Sequence, residues 1–160
     1  MTVRLMILNG SNLNLLGERE PEIYGSTTLS AVKESCRAFA ETLGVDLQFL
    51  QSNHEGALVD WVHDARHTAD AIIVNPAGYS FYSISILDAL KVFAGPVIEL
   101  HISNIHARDE LHRHSIVSSA ATGVICGLGV YGYIVAMQAA ARMLGAIPDS
   151  LPDPIRIGPA

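Results

Sequence analysis

Residues 71–100 read AIIVNPAGYSFYSISILDALKVFAGPVIEL, and the architecture follows from this stretch. Ala71–Val74 is a short apolar run, and Val97–Leu100 is a second that contains one acid. Between them, Ser83–Phe93 spaces its apolar residues as a helix does, and Gly95-Pro96 stops that helix before the second run begins. Two apolar runs joined by a helix predict parallel strands with a crossover, since an antiparallel pair needs only a tight turn.

The pattern continues outward. Val3–Leu8, Val45–Leu50 and Thr122–Cys126 are further strand-like runs. Leu29–Leu43, Leu58–Arg66 and Tyr131–Leu144 are further helices, with Gly44 and Gly145 placed to close the first and last. Five near-continuous apolar strands alternating with helices imply a parallel sheet covered on both faces. The expected fold is a single doubly wound, flavodoxin-like, three-layer α/β domain over residues 1–145. Residues 146–160 hold four of the seven prolines and are expected to form an extended surface arm.

A chain of 160 residues suits one domain. At 49% hydrophobic and 16% charged it is apolar for a small monomer, so part of that surface is expected to be buried between subunits. A net charge of −6 and the lack of any Lys/Arg run exclude nucleic acid and anionic membranes as expected partners. A small anionic substrate is compatible, because local arginines decide that. The start, MTVRLMILNG, has no signal-like apolar stretch, and no segment approaches the ~20 apolar residues of a membrane span. Cys36 falls in a helix and Cys126 in a buried strand, without disulfide-framework spacing. Reduced thiols and a cytoplasmic location are expected.

In an open parallel sheet, ligands bind beyond the carboxyl ends of the strands. The first strand ends at Asn9 and enters a long connection, Gly10–Thr27, which shows no secondary-structure signal and carries Asn12, Arg19 and Tyr24. Loops of this length are often functional. The third strand ends at Asn75, and the fourth leads through Glu99 and His101 to Ser103 and Asn104. Two-residue spacing puts Glu99 and His101 on one face, where a carboxylate orients an imidazole; a general acid and a satisfied core histidine both fit. Arg19 lies five residues before Tyr24, and a guanidinium near a phenol stabilises the phenolate, a useful base.

Three other motifs have plainer explanations. Gly127-Leu-Gly129-Val-Tyr-Gly132 has dinucleotide spacing, yet only 28 residues follow it, with no second strand and acid, so it reads as a tight turn under a closely packed helix. His63 with His67, and His112 with His114, lack a third ligand at matching spacing, so no metal site is expected. Gly10-Ser11-Asn12 offers a backbone cradle for a flavin phosphate, but Leu13, Leu15 and Leu16 follow at once, so no cofactor is expected.

Together, LNGSNLNLLGEREPEIYG, QSNHEGALVDWVH, NPAGYS, ELHISNIHAR and ATGVICGLGVYGY resemble the type II 3-dehydroquinate dehydratases over nearly the whole chain. The resemblance implies a cofactor-free loss of water from 3-dehydroquinate, an anionic cyclic acid, through an enolate. It implies that Tyr24 is the base, with Arg19 maintaining its phenolate, and that Asn12 holds a water on the enolate oxygen. His101 is then the acid and Glu99 fixes its ring, while Asn75 bonds near the leaving hydroxyl. The amides of Ile102 and Ser103 take the carboxylate. The Arg19–Tyr24 loop is implied to close as a lid. Trimers gathered into dodecamers are implied, with Asp88 reaching a neighbouring active site.

Two substrate-pocket positions depart from the family pattern: Phe81 stands where a histidine is usual, and His112 where an arginine is usual. Both usual side chains contact ring hydroxyls away from the carboxylate. A hydroxyl buried without a partner costs ~1–3 kcal/mol, so two losses correspond to ~10²-fold or more in transition-state binding unless Arg108, Arg113 or Tyr82 compensates. The expectation is dehydration of 3-dehydroquinate itself. The alternatives are a paralogue acting on a ring acid with altered distal hydroxyls, and a silent binding or assembly protein on the same scaffold. Biosynthetic and catabolic routes both accommodate the elimination.

Overall fold

The computed structural model describes residues 1–151. Strands β1 (Arg4–Asn9), β2 (Asp46–Gln51), β3 (Ala71–Asn75), β4 (Val97–His101) and β5 (Gly123–Cys126) alternate with helices. The helices are α1 (Pro21–Tyr24), α2 (Leu29–Leu43), α3 (Glu55–Thr68), α4 (Ile84–Val92) and α5 (Tyr131–Met143). The strands form a five-stranded sheet of order β2-β1-β3-β4-β5 with every pair parallel, as the sequence predicts. The chain first steps from β1 out to β2 and then returns past β1 to β3. The connections leaving β1 and β3 therefore diverge to opposite faces and open a crevice at their carboxyl ends.

Alternation along each strand divides the core. Leu5, Ile7, Ile73, Ile98 and Leu100 meet α2 and α5 on one face, while Met6, Leu8, Ile72, Val74 and Val97 meet α3 and α4 on the other. Burying each such side chain is worth ~1.5–3 kcal/mol, which is what holds the three layers together. The same alternation sorts the polar strand tips. Asn9 and Asn75 are paired in register and continue the α2/α5 face behind Ile7 and Ile73. Glu99, two residues on from Val97, continues the α3/α4 face.

Side chains cap two helices where the sequence places their starts: the Thr28 hydroxyl accepts from the Ala31 N–H at 3.2 Å, and Ser83 from Ile86 at 3.1 Å. The third helix begins at Glu55, earlier than the expected Leu58. His54 makes no side-chain cap there, and the polar first turn carries no apolar period, so nothing local marks the start. The β5 strand departs from the expected buried run: Val124 is exposed and Cys126 only half-buried, because β5 is an edge strand. The motif from Gly127 to Gly132 is a turn with φ of 85° at Gly127 and 61° at Gly129, conformations that glycine adopts freely. A Cβ at Gly132 would lie 2.8 Å from Leu100, so the helix packs tightly on the sheet, as read from the sequence.

The Gly10–Thr27 connection is not featureless. It contains a 3₁₀ turn at Leu13–Leu15 and the single turn of α1, which starts on Pro21. One turn is too short for hydrophobic periodicity to reveal. Leu13 and Leu16 are sunk into the core, and the backbone of Gly17 packs against that of Ser26 and Thr27. Beyond α5, Ala146, Ile147 and Leu151 pack partly buried on the α2/α5 layer. The rest of the expected 146–160 arm lies outside the described residues. Among the described residues no helix is long and apolar enough to cross a membrane.

Gly10 fixes how β1 meets β3. Its N–H donates to the Asn75 carbonyl at 2.8 Å, and a Cβ there would stand 2.2 Å from the Pro76 carbonyl oxygen. Gly10→Ala is expected to destabilise the fold by at least ~1–3 kcal/mol, read as a lower urea midpoint at unchanged m-value.

Candidate active site

At the carboxyl ends of β1, β3 and β4 lies a cleft of about 800 Å³, counting its open mouth. Three segments wall it. The β1–α2 connection supplies Ser11, Asn12, Arg19 and Tyr24 over Leu13 and Leu16; the tip of β3 supplies Asn75, Ala77, Gly78 and Phe81. The stretch after β4 supplies His101, Ile102, Ser103, Ile105, Arg108 and His112.

Under one wall is a buried carboxylate–imidazole contact. Glu99 has no solvent exposure and His101 is 5% exposed, with 2.6 Å between His101 Nε2 and a Glu99 oxygen. Ser115 donates to that same carboxylate oxygen and Ser118 to the other. Burial pushes the Glu99 carboxyl up, but hydrogen bonds from His101, Ser115 and Ser118 outweigh it and hold the group below the usual carboxylate range. With Nε2 committed to Glu99, Nδ1 is the ring nitrogen of His101 left for a ligand.

The same cleft is lined by Tyr24, with two guanidiniums close to its ring: Arg19 at 5.7 Å and Arg108 at 5.6 Å from the ring centre. The phenolic oxygen accepts from Arg108 Nη1 at 2.8 Å, whereas Arg19 pairs with Glu20 at 3.1 Å. Asn12 has a left-handed backbone (φ 68°), and its N–H donates to Asn53 Oδ1 at 2.8 Å. Ala77 is also left-handed (φ 53°), a conformation worth ~1–3 kcal/mol of strain for a residue with a Cβ. That turn aims the Ala77 N–H back at Asn75 Oδ1, 3.3 Å away.

Phe81 and His112 meet edge to face, with centres 5.4 Å apart and planes at 82°. The His112 Nδ1 lies 2.8 Å from Asp109, and this bond with the imidazole holds the Asp109 carboxyl below its ordinary range.

This arrangement can do acid–base chemistry on a small anion: a phenol flanked by cations and an imidazole backed by a carboxylate line one cleft. Among the described residues no cluster of three or more His, Cys, Asp or Glu side chains is placed to hold a metal ion; His63 and His67 are exposed on α3.

A model of the family described as Dehydroquinase class II matches residues 3–141. The chain belongs to this family. It is an enzyme, a lyase of the type II dehydroquinase kind. A "3-dehydroquinate dehydratase" of Caulobacter vibrioides is 53% identical over 146 residues, covering 91% of this chain and all of that one. A "Catabolic 3-dehydroquinase" of Emericella nidulans is 56% identical over 138 residues, covering 86% of this chain and 90% of that one. The crystal structure of a type II dehydroquinase from Butyrivibrio crossotus aligns with a TM-score of 0.85 at 35% identity, covering 87% of this chain and 97% of that one.

Of the residues singled out in this dehydroquinase from sequence, Asn12, Arg19, Tyr24, Asn75, Phe81, His101, Ile102, Ser103 and His112 line one cleft, with Glu99 beneath it. Asp88 stands apart, exposed on α4 and 3.9 Å from Lys91. Arg108, read from sequence only as a compensating neighbour, holds the Tyr24 hydroxyl. Ser115 and Ser118 were not singled out as partners of Glu99. A buried carboxylate demands several donors, but nothing in their spacing says which serines supply them.

The depressed Glu99 value fixes a pH dependence. Its contribution to stability is complete above the unfolded glutamate value of ~4.3 and is lost as pH falls through the lower folded value. Ser118→Ala removes one hydrogen bond that lowers it, at a cost of ~1–3 kcal/mol. The variant's acid-unfolding midpoint, followed by circular dichroism, is expected at higher pH than that of the parent.

Proposed function

We propose that this enzyme removes water from 3-dehydroquinate to give 3-dehydroshikimate through an enolate. The observation that carries the reading is the pairing of Tyr24, bonded to Arg108, with His101, bonded to buried Glu99, across one cleft. Tyr24, as phenolate, takes a proton from the carbon beside the ketone, and Arg19 and Arg108 balance its charge. The enolate oxygen is held by a water on Asn12. Collapse of the enolate expels the hydroxyl, which receives a proton from His101 Nδ1 and leaves as water, with Asn75 bonded near it. Proton return from the Tyr24 phenol to the imidazole through water restores both groups. Glu99 fixes the ring and balances the imidazolium.

The amides of Ile102 and Ser103 take the substrate carboxylate, and Phe81 and His112 form the wall facing the distal hydroxyls. The reaction needs no cofactor. Asp88, exposed on α4, acts at a neighbour's site in a trimer-based dodecamer, and the enzyme works in the cytoplasm. Its catalytic domain is residues 1–145.

A second reading keeps the enolising groups and changes the substrate to a ring acid with fewer or differently placed distal hydroxyls. The Phe81–His112 contact favours it: an apolar ring edge and one imidazole form that wall, with His112 already tied to Asp109. Arg108, the compensating cation that reaches the cleft, is engaged by Tyr24. Comparing 3-dehydroquinate with analogues lacking one ring hydroxyl separates the readings, because the second requires a higher kcat/KM for a deoxy analogue.

The appearance of the conjugated enone product in the ultraviolet tests the chemistry. Tyr24→Phe is expected to lower kcat by ~10²–10⁴-fold with the fold intact. Parent activity on 3-dehydroquinate no greater than that of this variant removes the leading reading.

A further inference from the structure

Tyr133 lies wholly buried under the cleft floor, where the chemistry assigns it no part. Its hydroxyl sits between two strand-tip asparagines, donating to Asn9 Oδ1 at 2.6 Å and accepting from Asn75 Nδ2 at 3.1 Å. Asn9 is also wholly buried, and Asn75 is 3% exposed.

The directions of these bonds are forced. Asn9 faces the Leu50 carbonyl at 3.0 Å, and a carbonyl only accepts, so Asn9 must present its NH₂ there. Its Oδ1 is then turned to Tyr133 and claims the single phenolic hydrogen. Burial pushes the Tyr133 phenol well above the ordinary tyrosine range, so that hydrogen stays in place. The Tyr133 oxygen is left only as an acceptor, and Asn75 must turn its amide nitrogen toward it. The Ala77 N–H, directed at Asn75 Oδ1, agrees from the other side. One N–H of Asn75 remains for a ligand oxygen.

We propose that Tyr133 is a positioning residue that sets the orientation of the Asn75 amide, so that Asn75 offers an N–H rather than a lone pair to the departing oxygen. The inference rests on the reading that Asn75 bonds near the leaving hydroxyl. The mechanism places the consequence in the bond-breaking step: negative charge grows on that oxygen as the bond breaks, so a donor stabilises the transition state more than bound substrate. A flipped amide would place its carbonyl oxygen against that charge. Tyr133 touches no substrate; it acts through Asn75 alone.

The test is a double-mutant cycle in kcat, scaled to folded protein and run below each variant's own unfolding transition. Tyr133→Phe is expected to lower kcat about tenfold with KM nearly unchanged, and to change kcat by less than about twofold when Asn75 is already alanine. A purely structural role predicts reduced stability with unchanged kcat, or the same loss in both backgrounds, and either result overturns the proposal. If Asn75→Ala alone leaves kcat intact, the Asn75 role fails and the proposal falls with it. If Asn75→Ala is impaired and Tyr133→Phe is not, only the proposal falls. Should Tyr133→Phe not fold, Asn9→Ala frees the phenolic hydrogen to swing toward Asn75. A kcat loss there that disappears in the Asn75→Ala background supports the proposal, and no loss overturns it.

Discussion

Glu99 carries its charge where no water reaches it, and much of the site is arranged around that fact. A buried carboxylate is tolerable only when its oxygens are hydrogen-bonded. Here the donors come from His101 on the same strand and from Ser115 and Ser118, which the chain reaches only after a long excursion from β4. That excursion is folded back to the sheet by those two serines, by buried Val117, and by the Ile116 N–H on the Ser80 carbonyl at 2.9 Å. Arg108 and His112 ride on it. The carboxylate that orients the imidazole therefore also anchors the segment that brings a cation to the Tyr24 hydroxyl. The imidazole side and the phenol side of the cleft share one anchor.

The sheet and most helices were legible because each is announced by a local signal: apolar runs for β1 and β3, Gly44 closing α2, and Gly95-Pro96 beyond the end of α4. The Glu99–His101 pair was legible for the same reason, since two-residue spacing on a strand fixes a shared face. Less legible were features whose cause lies far along the chain. The sequence places Arg19 beside Tyr24 because they are near neighbours; the group on the phenolic oxygen is Arg108, 84 residues away. Tyr133 looks like a core aromatic on a helix until the register of Asn9 with Asn75 is known.

Phe81 and His112, read from the sequence as departures from the family pattern, are not independent. Phe81 follows β3 and His112 follows β4, yet their rings touch. A change at one alters the packing of the other, so their energetic effects are expected to be coupled rather than additive. The wall they form has an aromatic edge on one side and a single tethered imidazole on the other.

The close approach of Gly17 to Ser26 and Thr27 makes residues 17–26 a compact Ω-shaped loop with a narrow neck. Its root is held by Leu13 and Leu16 in the core. Any swing of Tyr24 is thus the rocking of a small pre-folded flap about its neck, not the unravelling of the whole connection. Such a rocking would change little chain entropy, and the Tyr24 phenol would move as part of an already shaped unit.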